Sequence, residues 1–474
     1  MTHSLKPMPW TTAKIIEATN GELLSGETDC IFSGVSIDSR KILPSELFIA
    51  IKGDVHDGHG FVKDVIKQGV RGIIISKDKA GDLFRSEWQK KGIVCVTVNN
   101  TTGSLGDLAA FIRKHLHVLV VAITGSNGKT TTKDMTAGVI SRRFCTLSTS
   151  GNFNNEIGVP LTLLRLNRSH QWAVLELGMN HPGEIARLSE ICKPDIGVIT
   201  NIGPAHLEGL GSIEGVMHAK GELLEKIKSN GTAILNGDDP RILSLSKKTL
   251  RKVFLFGLSK NADVRAHSIK EKGAETFFTL ALPGESVSVN LKAPGLFMVS
   301  NALAAAAVGH LAGLSAREIK SGLENFKPAG GRMNIVKTNR GFVVVDDTYN
   351  ANPVSMEAAI TTFKSLKGDK KGALVAGDML ELGKQSESMH KKIGLLSARS
   401  KIARLYATGN FAEAVTAGAK SEGLDNGDTF TGLPDEILDD LINWIGPKDW
   451  VLVKGSRSMG MEKIVKGLID WGNS

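Results

Sequence analysis

The segment Gly125-Ser126-Asn127-Gly128-Lys129-Thr130-Thr131 sets two glycines, a lysine and two threonines close together. Glycines let backbone N–H groups converge on an anion, and a helix opening at the lysine adds partial positive charge. The lysine can reach β- and γ-phosphates while a threonine hydroxyl ligates magnesium. The chemistry is that of holding ATP with its metal ion. Two residues, not four, separate Gly125 from Gly128, so the spacing departs from the common phosphate loop. A bare tight turn is the competing reading. Thr124 before the loop and Gly128-Lys129-Thr130 at the helix start weigh against it.

Three further groups lie just past strand-like runs. Glu176 follows Val174-Leu175, His206 follows Thr200 across Asn201-Ile202-Gly203-Pro204-Ala205, and Lys220 sits at a helix-like start. In open α/β sheets the ligand crevice lies beyond the carboxyl ends of the strands. Magnesium takes oxygen ligands and rarely a full protein cage, so Glu176 with phosphates suits it. His206 reads either as a structural histidine or as a neighbour of the metal. Lys220 alone reads as a surface charge.

Positioning these groups needs buried parallel strands. Val118-Leu119-Val120-Val121-Ala122-Ile123 is a continuous apolar, β-branched run of the kind buried on both faces of a parallel sheet. Trp172 to Leu175, Ile196 to Ile199 and Thr232 to Leu235 repeat the pattern, with helical stretches between them. Before them, Ile31 to Ser36, Glu46 to Ile51, Gly72 to Ile75 and Val94 to Val98 form a smaller α/β set, closed by a helix-like stretch to Lys114 that Asn99 to Ser104 caps. The stretch Val253 to Leu291 is more β-rich, and an alanine-rich helix begins at Asn301. Past a hinge at Lys327-Pro328-Ala329-Gly330-Gly331-Arg332, strands are expected at Phe342 to Val345, Ala373 to Ala376, Leu405 to Thr408 and Trp450 to Val453. The fold class is α/β in three domains: 1–115, 116–330 and 331–474.

Composition sets outer bounds. A chain of 474 residues is too long for one core. Hydrophobic residues at 41% suit a globular protein, and no apolar run reaches the roughly 18 residues of a membrane span. The opening Met1-Thr2-His3-Ser4 carries no signal-peptide pattern. Four scattered cysteines offer neither zinc spacing nor a disulfide framework, and a cytoplasmic location is expected. The net charge of +9 comes without a dense basic run, so nucleic-acid binding is not expected. A positive excess also suits substrates rich in phosphate and carboxylate.

Together these residues resemble the Mur ligase family, the ATP-dependent amide-forming enzymes of bacterial cell-wall synthesis. The resemblance rests on Thr124 to Thr131, Glu176-Leu177-Gly178, Thr200 to Glu208, Lys220, Asn301, Gly331-Arg332 and Asp347, in order through the chain. Four segments resemble the branch that joins D-alanyl-D-alanine to UDP-N-acetylmuramoyl-tripeptide: Gly151 to Gly158, Gly178 to Ile185, Asp347 to Pro353 and Gly377 to Gly383. The Asp-Asn-Pro-Arg segment of the diamino-acid-adding branch is absent. That branch, a folylpolyglutamate synthetase and a non-catalytic nucleotide-binding module are the alternatives.

The resemblance implies a small N-terminal α/β domain for the uridine nucleotide, a central parallel-sheet P-loop ATPase domain, and a C-terminal Rossmann-like domain for the incoming dipeptide. It implies ATP on the loop from Gly125 through Thr131, and magnesium on Thr130 and Glu176. His206 would help hold a second magnesium, and a carbamylated Lys220 would support the metal site. Asn301, Arg332 and Asp347 would contact the nucleotide. Ser36, Asp38, Ser39, Arg40, Asn154, Asn155, Tyr349, Asn350 and Asn352 would face the substrates. A monomer is expected.

Overall fold

The computed structural model describes residues 8–53, 55–84 and 86–474; the opening segment Met1-Thr2-His3-Ser4 lies outside them. The N-terminal sheet runs Glu22–Ser25, Val94–Val98, Gly72–Ser76, Leu47–Ile49, Val35–Ser36, parallel except for the first strand. Ile31 to Ser36 is not one strand, as the sequence suggests, but two. Ile31–Phe32 pairs antiparallel with Trp10–Thr11, and Val35–Ser36 joins the sheet. The break follows from the backbone: Ser33 N donates to Ser45 O at 2.8 Å, and Gly34 O accepts from Leu47 N at 3.0 Å. The closing helix Thr101–His115 is capped by Asn100, whose Oδ1 accepts from Gly103 N at 2.9 Å.

The middle sheet has nine strands. From one edge they run Thr146–Ser148, Trp172–Glu176, Leu119–Thr124, Ile196–Ile199, Thr232–Asn236, Lys252–Gly257, Val264–Lys272, Glu275–Leu282 and Glu285–Leu291, the last two added antiparallel. Leu119–Thr124 sits where the chain order reverses, with Trp172–Glu176 on one side and Ile196–Ile199 on the other. Such a switch point opens a crevice at the carboxyl ends of the strands. Val120 through Thr124 are fully buried, as a β-branched run covered on both faces requires. The far edge strand is covered by the helix Ala316–Glu324: Asn290 N donates to Glu324 Oε1 at 2.8 Å, and Ala316 N to Glu285 Oε1 at 3.0 Å.

Two helix boundaries differ from the sequence reading. The alanine-rich helix spans Leu296–Leu311 and starts five residues before Asn301, because Gly295 at φ +98° turns the chain into it. Its alanines, buried at 302 and 304 to 307, let it lie close against the phosphate-loop helix Lys129–Ile140. Lys220 lies in the body of the helix Ile213–Lys226, not at its start; Ser212 Oγ caps it by accepting from Gly215 N at 3.1 Å.

The third sheet runs Asn334–Lys337, Val343–Asp347, Trp450–Lys454, Gly372–Gly377, Arg404–Thr408, Thr429–Thr431, parallel except for the first strand. Among the described residues no helix is long and apolar enough to cross a membrane. All four cysteines are free; burial pushes the thiols of Cys95 and Cys192 up to about 12. The helices Ser386–Arg399 and Ala412–Lys420 meet backbone to backbone. A Cβ on Gly394 would lie 1.8 Å from Val415 O, and one on Gly418 2.0 Å from Lys391 O. Gly394→Ala is therefore expected to destabilise the protein by about 1–3 kcal/mol or more through overpacking. Urea denaturation measures this, and an unchanged midpoint would show that the helices separate freely.

Candidate active site

The loop Gly125–Thr131 lies at the end of the switch-point strand, and its path is fixed from below. Thr200 Oγ1 and Asn201 Nδ2 both donate to Asn127 O, at 2.6 and 3.0 Å. Asn201 Oδ1 accepts from Asn127 N at 2.9 Å, and Ser126 N donates to Asn201 O at 3.0 Å. These contacts leave no room for side chains at the glycines. A Cβ on Gly125, at φ +152°, would lie 1.9 Å from Thr200 Oγ1. One on Gly128, at φ +78°, would lie 2.3 Å from Asn301 Oδ1. Asn301 thus shapes the loop from beneath and takes a 3.2 Å hydrogen bond from Thr132 Oγ1.

Above the loop is a cavity of about 420 Å³. Ser126 through Thr131, Asn154, Glu176 and His206 line it from the middle unit. Arg332, Asp347, Tyr349, Asn350 and Asn352 line it from the third. Lys129 curls back so that Nζ donates to Gly125 O at 2.9 Å. Burial lowers its pKa; the Glu176 carboxylate opposes that shift and Arg332 adds to it.

Glu176 is 2% exposed. Oε1 accepts from Asn154 Nδ2 at 2.8 Å, while Oε2 is buried without a partner. An unpaired buried carboxylate oxygen is costly unless a cation meets it. Beside Thr130 and a triphosphate it fits a magnesium ion with few protein ligands. Among the described residues there is no group of three or more His, Cys, Asp or Glu that could hold a metal ion. Two buried donors on the cavity wall, Asn127 Nδ2 and Arg332 Nε, also lack partners. They suit an anionic ligand.

Lys220 is 1% exposed and does not line the cavity. Burial, helped by the charge of Lys129, drives its pKa well below that of an ordinary lysine. Among the described residues no carboxylate lies within 4 Å of its ammonium group.

The third unit closes over the loop through side-chain contacts. Arg332 donates to Thr130 Oγ1 at 2.9 Å and stacks 4.0 Å over the Tyr349 ring. Asn352 Nδ2 donates to Asn127 Oδ1 at 2.7 Å. Asp347 accepts from Met333 N at 3.0 Å and pairs with Lys454 at 2.6 Å. Lys454 and Arg457, both on the cavity wall, are additions to the sequence reading. Lys454 could have been found, since it ends the run Trp450 to Val453 just as Glu176 ends its own.

Other expected residues lie elsewhere. Asn155 does not line the cavity; its Oδ1 accepts from Gly158 N at 2.9 Å and from Ile157 N at 3.2 Å, at the start of the helix Gly158–Leu163. Ser36, at the end of the strand Val35–Ser36, and Asp38, Ser39 and Arg40, in the loop and turn that follow it, lie in the N-terminal unit away from the cavity. There Arg40 grips Asp38 with two donors at 2.9 and 3.0 Å, holding the Asp38 carboxyl down at about 2.

The family model described as "Mur ligase middle domain" matches residues 123–309, "Mur ligase, glutamate ligase domain" matches 331–457, and "Mur ligase family, catalytic domain" matches 31–113. The chain belongs to the Mur ligase family. It is 37% identical over 466 residues to the UDP-N-acetylmuramoyl-tripeptide–D-alanyl-D-alanine ligase of Escherichia coli (strain K12), covering 98% of this chain and 99% of that one. Its fold is similar to MurF from Acinetobacter baumannii, with TM-score 0.89, 33% identity, and coverage of 98% and 100%. It is also similar to the Thermotoga maritima MurF ligase solved with ADP, with TM-score 0.81, 26% identity, and coverage of 92% and 97%.

Gly128→Ala tests the packing of the loop in this Mur ligase. The new methyl meets Asn301 Oδ1 and must also adopt a left-handed backbone. Calorimetry should show ATP affinity reduced by about tenfold or more, or roughly 1.4 kcal/mol. Unchanged affinity would mean that the loop relaxes without cost.

Proposed function

We propose that this Mur ligase joins D-alanyl-D-alanine to UDP-N-acetylmuramoyl-tripeptide at the expense of ATP. The observation that carries this reading is the site itself: an unpaired buried carboxylate oxygen on Glu176 beside the lysine of a phosphate loop. The names of the similar ligases supply the substrates. In this reading residues 1–115 receive the uridine nucleotide, with Ser36, Asp38, Ser39 and Arg40 as its contacts. Residues 116–330 hold ATP, and residues 331–474 bring the dipeptide. The enzyme works as a cytoplasmic monomer.

Amide formation needs an activated carboxyl group. A terminal carboxylate oxygen of the tripeptide attacks the γ-phosphorus of ATP, the bond to the β,γ-bridging oxygen breaks, and ADP leaves. The dipeptide amine then attacks the acyl carbon, loses a proton, and the carbon–oxygen bond to phosphate breaks. Lys129, the loop amides and Arg332 offset charge that spreads over the transferring phosphoryl oxygens. Thr130, Glu176 and His206 would hold magnesium, which when bound screens the phosphates and orients them. Asn301 keeps the loop in shape, and Asp347 anchors the nucleotide side of the third unit. Asn154, Tyr349, Asn350 and Asn352 orient the reacting ends. The gain is mostly one of positioning and of fixed charge.

Lys220 belongs to the same reading. Its burial and the nearby charge of Lys129 favour a neutral amine. Such an amine can add to carbon dioxide and release a proton, leaving an anionic carbamate that supports the metal.

The assay supplies ATP, UDP-N-acetylmuramoyl-tripeptide and either D-alanyl-D-alanine or a free diamino acid, and follows phosphate release. Release should depend on the dipeptide, and Lys129→Ala should lower it at least about a thousandfold. Near-normal turnover in that variant, or release only with the diamino acid, overturns the reading. Lys220→Ala should lose most activity and regain part of it with added short-chain carboxylic acids. No recovery with any of them would remove the carbamate from the scheme.

A further inference from the structure

The segment Gly377-Asp378-Met379-Leu380-Glu381-Leu382-Gly383 takes no part in the proposed chemistry, yet it touches His206, a residue of the cavity wall. It leaves the end of a third-unit strand and meets the middle unit at Glu381. Glu381 Oε2 lies 2.5 Å from His206 Nδ1, and Glu381 O accepts from Glu208 N at 3.1 Å. Both residues hold left-handed backbones, His206 at φ +56° and Glu381 at φ +64°. Side chains other than glycine's disfavour that region, so the surroundings must enforce it.

Those surroundings are visible on the third-unit side. Nε2 of the buried His390 accepts from Met379 N at 2.8 Å, and its Nδ1 donates to Ser386 O at 2.6 Å. Leu380 N donates to Ser456 Oγ at 2.9 Å, and Ser456 N donates to Asp378 O at 2.9 Å. The Asp378 carboxylate accepts from Asn410 N and Phe411 N at 2.7 and 3.1 Å. Glu381 is thus carried on a stiff mount. A carboxylate at Nδ1 holds the imidazole proton there and leaves Nε2 as a lone pair on a ring that lines the cavity.

We infer that Glu381 is a positioning residue that fixes the orientation and tautomer of His206, and that it does so only when the third unit is docked. His206 alone could turn either nitrogen to the site. With Glu381 in place, closure of the third unit and readiness of His206 for a cation become one event. The inference rests on the ATP-ligase reading, which the wild-type assay tests separately through dipeptide-dependent phosphate release.

The experiment is a double-mutant cycle of Glu381→Ala and His206→Ala on the full chain. It is read by kcat and by Mn²⁺ binding in the presence of a non-hydrolysable ATP analogue, measured by electron paramagnetic resonance. Glu381→Ala should weaken Mn²⁺ binding and lower kcat by about 10–100-fold, with the KM for ATP little changed. Glu381→Gln, which keeps an acceptor oxygen, should recover most of both. The double variant should bind Mn²⁺ no more weakly than His206→Ala alone, because a residue acting through another has no effect once that partner is gone. Wild-type Mn²⁺ binding in Glu381→Ala, or losses that multiply in the double variant, would overturn the inference. If the wild type releases no dipeptide-dependent phosphate, the ligase reading fails instead.

Discussion

Charge does not balance in this cavity. Arg332 and Glu176 act in opposite senses on Lys129, and Lys129 in turn acts on Lys220, which is buried behind the cavity lining. Buried cations without counter-ions are expensive: burial lowers the pKa of Lys129, which Glu176 partly offsets, and drives that of Lys220 well down. A polyanion entering with its own cation settles the account.

The glycine loop is the mechanical counterpart of that imbalance. Thr200 and Asn201, just past the strand Ile196–Ile199, and Asn301, on the helix Leu296–Leu311, press on it from two sides, so its amides are set before any ligand arrives. Preorganised donors need no rearrangement when charge develops. The lid is built differently. Arg332 on Thr130, Asn352 on Asn127 and Glu381 on His206 are side-chain contacts between units, joined at Glu381 by one backbone bond from Glu208 N. A rigid floor under a lid of separable contacts is what a site must have if substrates are to enter and products to leave.

The sequence shows the strands that floor the cavity because burial on both faces leaves an unbroken apolar signature, as in Val120 through Ile123. Glu176 and His206 were legible because they follow such runs. The broken pair Ile31–Phe32 and Val35–Ser36 was not, since cross-chain bonds from Ser45 and Leu47 decide it. Nor was the true start of the alanine-rich helix, which a left-handed glycine sets. The strand Glu22–Ser25 escaped for a plainer reason: it is short, half of it is exposed, and it carries no periodic apolar face. Lys454 pairs with Asp347 from a strand far along the chain, and His206 meets Glu381 across units. Pairings set by tertiary closure leave little local trace.

The helix Ala316–Glu324 along the edge of the nine-stranded sheet has a bearing on behaviour in a crowded solution. Edge strands offer rows of free N–H and C=O groups on which a foreign strand can grow. Here Glu324 and Glu285 each cross between strand and helix, and the helix body lies over the apolar face of Glu285–Leu291. The two-stranded antiparallel extension of the sheet therefore ends against a charged, covered border. A large sheet built for catalysis gains from it a resistance to misassociation while its three units fold and meet.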